Sequence, residues 1–225
     1  MSGLERPESS LETDEVTDPW HLQKQTAKTY DRIASEYEQS TLTASPAVAQ
    51  LREWLVAHID GGGIILDLGC GPGRDVAWFR SRGCTAVGVD RSPTMAAKTA
   101  ARGPAVEADL TSLPIASSSV RGVWSAASLL HVPSPLLGAT LREWHRVLEP
   151  AGALALTTSS GGTEGLEVVP YAPERGPRSS AQLDRWFANH DENALHAALI
   201  DAGFVIDSFL HRQGHVMWID VLALK

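Results

Sequence analysis

Apolar and polar positions along this chain fall into blocks whose period changes, and the changes mark out its elements. Between positions 24 and 38, Tyr30, Ile33, Ala34 and Tyr37 recur at i, i+3, i+4 and i+7, the spacing of one helix face. A second helix is predicted over 46–59, stopped by Gly61-Gly62-Gly63. Short apolar runs then alternate with helical stretches: strand 64–68, helix 73–82, strand 85–89, helix 93–102, strand 105–108, strand 120–125, helix 134–148 and strand 152–158. Residues 161–178 are rich in Gly, Pro and Glu and read as a loop or insert. Helices over 180–188 and 191–202 precede a last pair of strands, 204–210 and 215–223. Strands alternating with helices in this way imply an α/β fold with a doubly wound parallel sheet.

The chemistry concentrates where the first strand ends. Ile64-Ile65-Leu66-Asp67-Leu68 runs into Gly69-Cys70-Gly71-Pro72-Gly73, and a helix follows at once. Glycines there let the chain turn sharply and let a ligand approach the backbone, while the unpaired N–H groups of the helix favour an anionic group. The spacing is G-x-G-x-G, not the G-x-G-x-x-G of dinucleotide enzymes, and there is no Walker lysine motif. That disfavours a nicotinamide oxidoreductase. Two further strands end in acids, at Asp90, seventeen residues after Gly73, and at Asp109. A carboxylate at the first of these can accept both hydroxyls of a ribose. Successive strand ends of this kind line the edge where open α/β sheets bind ligands.

With these motifs in order, the chain resembles class I S-adenosylmethionine-dependent methyltransferases of the small-molecule type, similar to the ubiquinone-biosynthesis C-methyltransferases. The resemblance runs from Thr29 to Lys225. It rests on Asp67-Leu68-Gly69-Cys70-Gly71-Pro72-Gly73, on Asp90, on Asp109-Leu110, on the fourth strand through Leu129-Leu130-His131-Val132-Pro133, and on Arg146 to Ala153. It implies a Rossmann-like, seven-stranded sheet in the order 3-2-1-4-5-7-6, mostly parallel with a C-terminal antiparallel hairpin. It also implies S-adenosylmethionine as cofactor and S-adenosylhomocysteine as product. Gly69, Cys70, Gly71 and Gly73 would approach the methionine half, with Asp67 organising the loop. Asp90, with Arg91 beside it, would hold the ribose. Met95 would pack near adenine, Asp109 would take the adenine amine, and the Leu110 N–H a ring nitrogen. Ser125 closes the cofactor set at the end of the fourth strand.

Tyr30 to Tyr37 resembles the Y-D-x-x-A-x-x-Y segment that caps the cofactor in related enzymes, which makes positions 20–60 a lid. Tyr30 is then a cofactor contact and Tyr37 an acceptor contact. Amphipathic packing is the plainer reading of both rings. His131, just past the fourth strand, is the acid/base candidate, since histidine titrates near neutrality. It could equally fix the loop or line the pocket. Arg185 and Trp186, after the insert, would suit a carboxylate or planar acceptor, with 161–190 as the acceptor-side insert.

Composition narrows the field. The chain has 225 residues, 43% of them hydrophobic, enough for one domain with a substantial core. A net charge of −8 leaves no basic nucleic-acid footprint. Much of the acidity lies in residues 1–19, where Glu5, Glu8, Glu12, Asp14, Glu15 and Asp18 face Arg6 alone, so that stretch reads as a disordered acidic tail. No apolar leader or membrane span is visible, and Cys70 and Cys84 read as small buried residues of a reducing, cytoplasmic protein. His211 and His215 flank a turn without a completing acid, so no metal is expected. The expected activity is methyl transfer to an N, O or C nucleophile of a small molecule by in-line displacement. An RNA (tRNA) methyltransferase and a cofactor-binding protein of this fold with another reaction are the alternatives.

Overall fold

A computed structural model describes residues 18–59, 62–168, 184–214 and 216–225. The expected acidic tail lies outside the described residues except for Asp18 and Pro19, which open the first helix. Most of the 161–178 insert and His215 also lie outside them. The elements are α1 (Pro19–Ser40), α2 (Pro46–His58), β1 (Ile64–Leu68), α3 (Arg74–Ser81), β2 (Thr85–Asp90), α4 (Pro93–Ala100), β3 (Ala105–Glu107) and β4 (Val120–Ala126). They continue as α5 (Leu137–Val147), β5 (Leu148–Ser160), β6 (Gly165–Val168), β7 (Asp184–Phe187), α6 (Glu192–Asp201), β8 (Val205–Gln213) and β9 (Met217–Leu224).

Seven strands form one sheet in the order β3-β2-β1-β4-β5-β9-β8. β1, β2, β3, β4 and β5 are parallel, and β9 runs antiparallel between β5 and β8. This is the order and the antiparallel hairpin that the resemblance implies. Apolar side chains fill both faces, as a sheet covered by helices on two sides requires. On one face Leu66, Val123, Leu154 and Leu156 pack with Leu141 and Trp144 of α5 and Leu195 and Leu199 of α6. On the other, Ile65, Trp124 and Ala155 pack with Leu51 and Leu55 of α2 and Phe79 of α3.

Helix starts follow local chemistry. Asp18, Ser45, Ser92 and Asp191 each accept a backbone N–H in the first turn of the helix that follows, and proline opens α1, α2 and α4. β5 begins earlier than its apolar run predicts. It pairs with β4 at Leu148, bulges over the next residues, and resumes opposite Gly122 at Ala153. Ala151 in that bulge has a positive φ of 59°.

One expected element is different. The helix read over 180–188 is, in its described part, the strand β7, paired antiparallel with β6 in a separate two-stranded sheet. Its backbone is drawn out by partners distant in sequence: Asp184 O accepts from Thr29 Oγ1 at 2.8 Å, and Trp186 N donates to Thr26 Oγ1 at 2.9 Å. Those partners lie on α1, and they override the helical spacing of Arg185, Trp186 and Phe187.

Trp144 ties the core to the ligand edge. It is fully buried, and its indole N–H donates to Leu110 O at 2.9 Å. Trp144→Ala is expected to cost roughly 3–5 kcal/mol of unfolding free energy. Urea denaturation of the two proteins checks this.

Candidate active site

The cleft forms at the carboxyl ends of the central strands because the chain turns left-handed on leaving β1. Gly69, Gly71 and Gly73 have φ of 76°, 53° and 86°. A Cβ on Gly69 would lie 2.2 Å from Ser128 Cβ, so no other residue fits there. Neighbouring strands hold the turn: Gly69 N and Cys70 N donate to Val89 O at 2.8 and 3.1 Å. Gly71 N donates to Asp90 Oδ2 at 2.8 Å, and Ser92 N to Asp90 Oδ1 at 2.9 Å. Burial pushes the Asp90 carboxyl up to about 6, against those two N–H donors, which favour the charged form.

A cleft lies above this turn. Its wall brings together Tyr30, Tyr37, Gly69, Gly71, Asp90, Arg91, Met95, Asp109, Leu110 and His131 of the expected residues. Arg91 spans one end. Its guanidinium pairs with Asp109 and donates to Gln23 Oε1 of α1 at 2.7 Å. Asp109 Oδ1 also accepts from Thr111 N and Thr111 Oγ1, both at 2.8 Å.

Other expected residues lie off that wall. Asp67 is buried under the turn. One of its oxygens is without a hydrogen-bond partner among the described residues, and burial pushes its carboxyl up to about 7. Gly73 caps α3 against Thr99. Ser125 is fully buried behind Ser128, the two hydroxyls 2.7 Å apart, and Ser128 takes the place on the wall. Cys70 borders a smaller adjoining hollow with Tyr37, Gly71, Arg74 and Asp75, while its thiol lies 3.3 Å from Thr99 Oγ1. Burial raises that thiol well above its ordinary range, so it stays protonated and inert.

α1 forms one wall of the cleft, held to α4 by polar contacts. Asp31 accepts from Ser92 Oγ and from Thr94 N, the latter at 3.1 Å, and Glu38 pairs with Lys98 at 2.9 Å and with Arg102. At the far end stands His131. Its Nδ1 lies 2.6 Å from Trp186 O, which can only accept, so the ring proton sits on Nδ1. Its Nε2 is then an acceptor for the Tyr30 hydroxyl at 2.8 Å. Enclosure pushes the imidazole down to about 3, the Trp186 carbonyl opposes that shift, and the Arg185 charge adds to it. Arg185 and Trp186 stand behind this wall. Arg185 lies over the rings of Tyr30 and Phe187, with one N–H 3.4 Å from the Tyr30 oxygen.

With this geometry in place, likeness to known proteins becomes informative. Residues 66–156, which hold the end of β1, the glycine turn, Asp90, Asp109 and His131, match the family described as methyltransferase domain. That match, the relatives and the fold support a class I S-adenosylmethionine-dependent methyltransferase. It is 32% identical over 139 residues to the malonyl-[acyl-carrier protein] O-methyltransferase of Enterobacter lignolyticus (strain SCF1), covering 59% of this chain and 52% of that one. It is 36% identical over 172 residues to an uncharacterized methyltransferase of Mycobacterium sp. (strain KMS), covering 75% and 58%. The chain thus spans about half the length of the curated relatives it matches. The fold matches 1,6-didemethyltoxoflavin-N1-methyltransferase of Burkholderia thailandensis with a TM-score of 0.66 at 19% identity, over 99% of this chain and 93% of that one.

The cofactor of this family fits the residues present. At Gly71 the backbone borders the cleft bare of any side chain, the nearest atom a Cβ would meet being Tyr37 Cε1 at 3.6 Å, and Asp90 lines the same cleft. Sequence reading missed the cleft residues Gln23, Thr26, Ala127, Ser128 and Val132, and Arg74 in the adjoining hollow. Gln23 and Thr26 carried a signal: both are polar residues on the buried face of α1. Ala127, Ser128 and Val132 are placed by loops, and Arg74 by the first turn of α3. No helix among the described residues is long and apolar enough to cross a membrane, and no group of three or more potential metal ligands occurs among them. His211 pairs instead with Glu192 at 2.9 Å.

The depressed basicity of His131 has a consequence for folding. The unfolded imidazole takes a proton near pH 6.5 and the folded one does not until about 3, so stability falls as pH drops through that window. Between pH 6.5 and 5.5, His131→Gln is expected to lose about 1 kcal/mol less than the parent protein, as measured by urea denaturation at the two pH values.

Proposed function

We propose that this chain transfers a methyl group from S-adenosylmethionine to an oxygen of a small carboxylic acid, releasing S-adenosylhomocysteine. The observation that carries the reading is the polarity of the cleft from end to end. Both acids on its wall, Asp90 at the end of β2 and Asp109 just past β3 and paired with Arg91, stand where the nucleoside half of the cofactor would sit. The opposite end has Tyr30 and His131, with the Arg185 cation behind them. An anionic acceptor is drawn to that end and a cationic one is repelled. Several relatives are named for O-methylation of a malonyl group, which supports the same reading.

The bound cofactor supplies an electrophilic methyl group on a positively charged sulfur. The chain's own residues hold and enclose. Asp90 accepts ribose hydroxyls and the glycine turn admits the methionine half, while Arg74 at the adjoining hollow is held by Asp75. α1 excludes water and aligns the nucleophile, which is the main catalytic term available here. A carboxylate acceptor needs no general base. That agrees with His131, whose Nδ1 proton is given to Trp186 O and whose Nε2 lone pair is given to Tyr30.

Calorimetry with S-adenosylmethionine, S-adenosylhomocysteine and NADH tests the cofactor. The two sulfur ligands are expected to bind and NADH is not, and Asp90→Ala is expected to weaken S-adenosylhomocysteine by about 30-fold, the worth of hydrogen bonds to a buried charge. A panel of carboxylic acids, phenols and amines, read by mass shift, then tests the acceptor. Methylation of acids supports the reading; methylation of amines alone overturns it.

A further inference from the structure

Trp186 sends both of its backbone polar groups outside its own hairpin. Its N–H donates to Thr26 Oγ1 at 2.9 Å and its C=O receives the Nδ1 proton of His131 at 2.6 Å. The Thr26 hydroxyl proton is already spent on Leu22 O at 3.0 Å, so a lone pair is what it offers the strand. Thr26 is buried, with 4% of its surface exposed. From His131 the path continues through Nε2 to the Tyr30 hydroxyl at 2.8 Å, which brings it back to α1. Thr26 and Tyr30 are four residues apart, on one face of the same helix, so the four groups close a ring.

We infer that Thr26 is a positioning residue for Tyr30, acting through the Trp186 backbone and the His131 ring. The inference rests on the reading above that the Tyr30 end of the cleft receives the acceptor. Each link sets the next. Thr26 seats β7 at Trp186; the carbonyl so placed fixes the imidazole tautomer and its tilt; the bare Nε2 then orients the phenol. An imidazole protonated at Nε2 would turn a bare Nδ1 toward the Trp186 carbonyl, two acceptors 2.6 Å apart, and leave that carbonyl without a proton. Arg185, 3.4 Å from the phenol oxygen and lying over its ring, is the charged group that faces this ring of bonds from β7, and Tyr37 meets Tyr30 edge-on from α1. α1 therefore aligns its own tyrosine only while the β6–β7 hairpin is docked against it.

Long-range nitrogen-15 NMR of the histidine rings tests this on the full chain without any acceptor, with His131→Gln assigning the signal. In the parent protein His131 is expected to carry its proton on Nδ1 throughout pH 5–8. Thr26→Val keeps the shape and removes the lone pair; it is expected to shift His131 to a mixture of tautomers, and Thr26→Ser to restore the Nδ1–H form. An unchanged tautomer in Thr26→Val or an Nε2–H ring in the parent overturns the inference. Tyr30→Phe breaks the ring of bonds at its other end and serves if Thr26→Val does not fold. It is expected to leave the Nδ1 proton in place while releasing Nε2, seen as a shift of that nitrogen alone, and an unmoved Nε2 signal counts against the inference. If the parent shows no S-adenosylhomocysteine binding, the functional reading fails while the tautomer result stands by itself.

Discussion

The left-handed turn that follows β1 is the constraint on which the rest of the molecule depends. Three glycines take conformations that other residues adopt only with strain, and the turn they make is held from β2 by the Val89 carbonyl and the Asp90 carboxylate. One acid thereby does two jobs. Asp90 closes the floor of the cleft by binding Gly71 N–H and presents charge to whatever enters it. Desolvation is the cost, visible in its raised pKa of about 6, and the two backbone donors keep the carboxylate form accessible.

Around that floor the molecule assembles a roof from elements that are remote in sequence. α1 is fastened to α4 through Asp31 and Glu38, to Arg91 through Gln23, and to β7 through Thr26 and Thr29. Most of these contacts are polar and partly exposed, so each contributes modestly. The apolar cores, by contrast, lie on the two faces of the sheet, under α2, α3, α5 and α6.

His131 shows how a site residue changes its meaning in context. Its position after β4 marks it as an acid/base candidate, because an unperturbed imidazole titrates near neutrality. Enclosure among Tyr30, Phe187 and the Trp186 carbonyl removes the water that would stabilise its charged form. Arg185 on the same strand adds electrostatic opposition. The ring becomes a neutral, oriented hydrogen-bond relay.

The sheet order was implied by the family resemblance; what the sequence by itself determined is the alternation of strands and helices, the turn, and the acids at the ends of β2 and β3. Each of these is a local matter: apolar periodicity, glycine at positions of positive φ, and a carboxylate at a strand end are written in neighbouring residues. It did not determine that 184–187 is a strand, that Ser128 fronts the cleft with Ser125 behind it, or that Asp67 lies beneath the floor. Those outcomes depend on which side of a strand or loop meets which distant partner. The stretch 180–188 reads as a helix until Thr26, Thr29 and His131 claim the backbone of Asp184 and Trp186 that a helix would have kept for itself. Only the tertiary structure supplies those partners, because backbone hydrogen bonds must be satisfied somewhere, and the fold decides where.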